Sequence, residues 1–152
     1  MTGKERLIDL LKLLYTKTDE DHQLSTAEIV AYFVEKDVPT DRSTVKADID
    51  VLNNCGIEIL ATRGTQTRYY FSDRQFELAE LKLLVDAVES SKFITARKSD
   101  LLVKKLMTLA GENSAKELER HLYTAGRIKP ENESIFYAVD IIHRAINSGK
   151  QI

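Results

Sequence analysis

A mainly helical fold is predicted for this 152-residue chain, with one short β-hairpin set between two groups of helices. Three observations predict it. Apolar residues recur at three- and four-residue spacing over most of the chain. Between Gly56 and Phe71 the pattern turns to β-branched and aromatic residues. After Phe76 the helical spacing returns and runs to Gly149. Residues 1–72 are expected to form one compact domain of three helices and a hairpin, and residues 73–149 an all-helical module.

The first helix follows from Thr2 and Glu5, which fit a capping box, and from Leu7, Leu10, Leu11 and Leu14 on one stripe. "DEDHQ" is a polar loop. A second box, Ser25 with Glu28, opens a helix whose Ile29, Val30 and Phe33 mark its buried face. Pro39 biases Val38 away from helix, Asp41 is placed to cap a third helix, and Gly56 is placed to stop it beyond Asn54. "IEILATR" and "TRYYF" read as two strands joined through "GTQ". A fourth helix begins near Phe76, with Leu78, Leu81, Val85 and Val88 along one side. The fifth carries Leu102, Leu106 and Leu109 and has Gly111 as its expected stop. A shorter polar helix, "SAKELERHLYTAG", has a Ser114–Glu117 box. The last places Ile135, Val139, Ile142 and Ile146 inward and ends at Gly149.

Composition narrows the function classes. Hydrophobic residues at 43% and charged residues at 30% suit a chain that buries a real core. No run approaches the roughly 18 apolar residues of a membrane span, and the start lacks a secretory pattern. One cysteine cannot form an internal disulfide, so a cytoplasmic location is expected. His22, His121 and His143 have no ligand spacing among themselves or with Cys55, so neither metal nor other cofactor is expected. Cys55 reads as a small buried thiol before Gly56. "DEDH" lacks the oxygen spacing of a calcium loop, and phosphate-loop and nucleophile motifs are absent. No enzymatic activity is expected.

The third helix carries the functional signal. Val45, Ile49 and Leu52 form its inward stripe, which leaves Arg42, Ser43, Lys46, Ala47 and Asp50 on the opposite side. Short and basic side chains on an outward face let a helix approach a DNA major groove closely, with cations reaching phosphates or guanine edges. Arg42, Ser43 and Thr44 lie in the first turn, where free amides and the dipole favour a phosphate. At the hairpin tip, Arg63 and Arg68 flank Gly64, Thr65, Gln66 and Thr67, which suits a wing resting on the DNA backbone or entering the minor groove. Against this, the net charge is -2, and residues 1–72 hold nine Lys and Arg against twelve Asp and Glu. Arg97, Lys98, Lys104 and Lys105 on the fifth helix read as a solvated face.

"STAEIVAYF", "DRSTVKADIDVL", "GIEI" and "RYYF", followed by "FELAELKLLVDAVESSKFIT", resemble bacterial WYL-domain transcriptional regulators. The resemblance implies a DeoR-type winged helix-turn-helix over residues 1–72 and a helical linker and dimerisation module over 73–149. Residues 150–152 are then expected to be the start of a truncated WYL domain, and any effector ligand would bind that missing part. The family pattern in the third helix, Asp-Arg-(Lys/Arg)-Thr-Ile-Tyr-Arg-Asp-Ile, is kept at Asp41, Arg42, Thr44, Asp48 and Ile49, while Lys46-Ala47 stands for Tyr-Arg. The DNA-binding set expected from residues and resemblance together is Ser25, Thr26, Arg42, Ser43, Thr44, Lys46, Ala47, Arg63, Thr65, Gln66, Thr67 and Arg68. The expected partners are double-stranded DNA and a second copy of the chain. The alternative is a protein-interaction module with a winged-helix fold that no longer binds DNA.

Overall fold

The computed structural model describes residues 2–122 and 134–149. The chain divides into two compact units, Met1–Gln75 with Ala110–Ala115, and Phe76–Leu109 with Lys116–Ile152. Among the described residues the protein is mainly helical, with a three-stranded antiparallel sheet in the order β1-β3-β2.

In the first unit, α1 (Gly3–Lys17) starts at the expected box: the Thr2 amide donates to Glu5 Oε2 at 2.7 Å, and the Glu5 amide to Thr2 Oγ1 at 3.3 Å. The same device opens α2 (Thr26–Val34), with Ser25 and Glu28 exchanging contacts of 2.7 and 3.2 Å. Asp37 in the break after α2 takes a positive φ of 56°, and α3 (Arg42–Asn54) follows with Asp41 as its cap. Gly56, at φ 84°, turns the chain out of α3 in the left-handed region that favours glycine.

Leu10, Leu14, Ile29, Phe33, Val45, Ile49 and Leu52 are buried together, so the three helical stripes meet in one core. β2 (Ile59–Thr62) and β3 (Arg68–Phe71) add Ile59, Tyr69 and Phe71 to it. Thr18 locks the end of α1 to the sheet: its hydroxyl donates to Leu14 O at 2.6 Å and accepts the Phe71 amide at 2.9 Å.

The sheet corrects the expected two-stranded hairpin. β1 (Leu24–Ser25) pairs with β3, Leu24 opposite Tyr69 and Ser25 opposite Arg68. Two residues are too few to show alternation, and their partner lies more than forty positions away.

In the second unit, α4 (Leu78–Ser90) and α5 (Ala96–Met107) bury Leu81, Val85, Ser99 and Val103, with Leu78, Val88, Leu102, Leu106 and Leu109 half-buried around them. The Thr95 hydroxyl caps α5 by accepting the Lys98 amide at 3.2 Å.

Three expectations change here. Gly111 is not a stop, because α5 ends at Met107 and α6 (Glu112–Leu122) begins directly after Gly111. The Ser114–Glu117 box is replaced by that earlier start: the Ala115 amide bonds Gly111 O at 2.8 Å, which puts Ser114 inside the first turn. On α7 (Ser134–Asn147) the apolar stripe is not inward, since Ile142 is 39% and Ile146 63% exposed, with Val139 half-buried. A stripe at helical spacing predicts a face that prefers burial, but not that the same chain supplies the cover. The side chains of His121 and Ile135, the continuation of the polar helix to Gly126 and the expected domain start at 150–152 lie outside the described residues.

Candidate nucleic-acid interface

Burying Val45, Asp48, Ile49 and Leu52 turns the other side of α3 to solvent, so Arg42, Ser43, Lys46, Ala47 and Asp50 are all exposed. What orients the helix is partly a contact inside the core side. Asp48 is not a solvated acid: Arg6 of α1 holds it with Nε–Oδ2 at 2.7 Å and Nη2–Oδ1 at 3.1 Å. This two-pronged pair fixes the rotation of α3 about its axis. Asn53 adds a second anchor, accepting the Ile59 amide at 2.8 Å and donating to Ile59 O at 3.2 Å, which ties β2 to the helix end.

The hairpin lies on the same side as the exposed face. One open cleft is lined by Thr26, Arg42, Lys46, Thr65, Gln66 and Thr67. A second is lined by Lys46, Asp50, Asn53, Ala61, Arg63 and Thr67. Lys46 stands on the ridge between them. Their volumes are about 360 and 400 Å³, and both lie open to solvent between α3 and the hairpin.

Electrostatics separate the cations into two groups. Arg42, Lys46 and Arg63 make no hydrogen bond or ion pair with the described residues, so their charge is free for an external anion. Arg68 differs from the expected tip cation. Its Nη1 donates to Gln23 O at 2.9 Å and lies 3.5 Å from Glu28, which turns it back toward the start of α2. Arg68 therefore fastens the hairpin, and Arg63 is the tip cation left over.

Comparison with protein-family models, curated proteins and solved structures finds no match for this chain.

Four more expected residues sit at helix starts, Ser25 and Thr26 at α2 and Ser43 and Thr44 at α3. Ser25 is buried, and its hydroxyl accepts the Glu28 amide, so it is a cap and not a surface contact. The Thr26 amide donates to Thr67 O at 3.2 Å, which joins helix start to hairpin and leaves the Thr26 side chain half-exposed on the first cleft. The first turn of α3 is not an open anion cradle. Asp41 Oδ1 accepts the Thr44 amide at 2.7 Å and the Ser43 hydroxyl at 2.8 Å, and these bonds hold its carboxyl at about 2. A carboxylate already seated there opposes a phosphate in the same place.

Cys55 is exposed, in contrast to the buried thiol expected, because it caps α3 on the solvent side of the turn at Gly56. No group of three or more His, Cys, Asp or Glu able to hold a metal ion occurs among the described residues, and no described helix is long and apolar enough to cross a membrane. Asp50 and Asn53 belong to the clefts but were not in the expected DNA-binding set. Their spacing from Lys46, four and seven residues along one helix, is the signal that marks them.

Proposed function

We propose that the protein is a sequence-specific DNA-binding transcriptional regulator of the WYL type, acting in the cytoplasm as a dimer. On this reading the first unit is a winged helix-turn-helix. α3 enters the major groove, and the β2–β3 hairpin rests as a wing on the backbone or in the minor groove. The observation that carries the reading is a pair of adjoining clefts between α3 and the hairpin: the free cations Arg42 and Lys46 line the first, Lys46 and Arg63 the second, and Lys46 is common to both. Ala47 and Ser43 beside them are small enough to let the helix axis approach base edges.

The acidic balance of residues 1–72 counts against this less than its total suggests, because binding follows the local field. Asp48 is paired to Arg6, Asp9 to Lys36 at 2.6 Å and Glu28 lies by Arg68, so several acids are neutralised off the exposed face of α3. Three free cations per unit make single-site binding modest, and two linked units compensate through effective concentration. No catalytic role is included.

The test is fluorescence anisotropy with duplex DNA of random sequence at low salt. Binding that falls steeply as salt rises, and that Arg42→Ala or Lys46→Ala weakens without changing thermal stability, supports the reading. Unaltered binding by both variants defeats it. The second reading, a protein-interaction module, is favoured by the net acidic charge of the N-terminal residues and predicts no duplex binding at any salt.

A further inference from the structure

Asp50 is the one acid on the exposed face of α3 that no internal contact explains. It is exposed, makes no hydrogen bond or ion pair with the described residues, and lines the second cleft together with Lys46 and Arg63. Asp41 is consumed in capping and Asp48 in the pair with Arg6, so the other two acids of the helix and its cap have structural work. A free carboxylate in a groove meant for a polyanion repels phosphates at every sequence. That repulsion is offset where a donor on the DNA meets the carboxylate.

In the major groove the donors are the exocyclic amines of cytosine and adenine. Adenine places its N7 acceptor beside the amine, and a carboxylate is repelled by that lone pair. Thymine O4 and guanine O6 and N7 are acceptors as well. Cytosine N4 is a donor flanked on its own base by the C5 hydrogen and not by a ring acceptor. The guanine paired with that cytosine then presents O6 and N7 to a cation. Lys46 lines the same cleft as Asp50, one helical turn earlier.

Resting on the proposed DNA-binding role, we infer that Asp50 is a specificity-determining residue that selects a C·G pair, accepting from cytosine N4 while Lys46 donates to the guanine of the same or the adjacent pair. Asp50 thus lowers affinity for DNA at large and restores it at one base identity.

Selection of bound duplexes from a random pool tests this with the parent chain, Asp50→Ala and Asp50→Asn. The parent is expected to select cytosine at one position of each half-site, with a roughly 5- to 150-fold loss when that pair is changed. Asp50→Ala is expected to bind non-cognate DNA more tightly and to lose the preference at that position alone. Asp50→Asn is expected to move the preference toward adenine, whose N6 and N7 suit an amide. An Asp50→Ala protein that selects the same sequence as the parent, with all affinities raised together, overturns the inference and leaves the DNA-binding role standing. A parent chain that binds no duplex removes both.

Discussion

Arg6 and Asp48 form a two-pronged ion pair between α1 and α3, with side chains only 21% and 13% exposed. Asp48 lies between Ala47 and Ile49, so the pair joins the exposed face to the core at the same turn of helix. The hydrogen bond to Asp48 raises the Arg6 guanidinium above its ordinary range, so the cation is retained at every accessible pH.

Removing the arginine leaves a largely enclosed carboxylate without its partner. Arg6→Ala is therefore expected to cost about 2–3 kcal/mol, read from urea unfolding. The double variant with Asp48→Ala is expected to lose less than the two single losses added together. Simple additivity would mean that the pair contributes nothing of its own.

The carboxylate caps make stability acid-sensitive. Asp41 is held at about 2 by the Thr44 amide, and Glu28 is lowered by its hydrogen bonds with Ser25. Both groups bind protons at higher pH unfolded than folded, so their contribution is complete above roughly pH 4–5 and is lost as pH falls through the folded values. The unfolding midpoint should drop between pH 5 and 2, and Asp41→Ala should flatten that drop. Parallel profiles for parent and variant would refute the assignment.

Gly111 is required by contact and not by a turn. A Cβ there would lie 2.8 Å from Arg74 Nη2 and 3.4 Å from Thr18 O. Arg74 is not free to step aside, because Nη2 donates to Tyr15 O at 2.5 Å and to Thr18 O at 3.0 Å. Gly111→Ala is expected to destabilise the protein by about 1–3 kcal/mol by thermal or chemical unfolding. An unchanged midpoint would show that the close approach is dispensable.

The free cations should be countable. If Arg42, Lys46 and Arg63 each neutralise one phosphate, the slope of log K against log salt should fall by about 0.9 for each alanine variant. Arg68→Ala should behave differently: its main effect is expected on hairpin stability, because Gln23 O and Glu28 already occupy its guanidinium. An equal slope change for Arg68 would move it back among the phosphate contacts.

The apolar side chains of α7 should matter little to monomer stability. Ile142→Ser and Ile146→Ser, at positions open to solvent, are expected within about 0.5 kcal/mol of the parent at concentrations where the chain is monomeric. Leu81→Ala, at a fully buried position of α4, is expected to cost about 2–5 kcal/mol. Sedimentation of the same variants tells whether the proposed dimer uses α7.

Local chemistry by itself determined much of this protein. The caps at Thr2, Ser25 and Asp41, the stop at Gly56 and the stripes through Leu10, Ile29, Phe33, Val45 and Ile49 are interactions among residues within a few positions, and each formed where spacing placed it. The outward set of α3 was legible for the same reason: a helix with one known buried stripe has a known opposite side. Tertiary structure alone decided the rest. β1 exists because Leu24 meets Tyr69. Asp48 is internal because Arg6 reaches it. Arg68 and Ser25 leave the candidate interface because Gln23 and Glu28 engage them. Gly111 packs because Arg74 crosses above it. Such contacts join positions whose chemistry alone is compatible with many partners, and only chain closure selects among them.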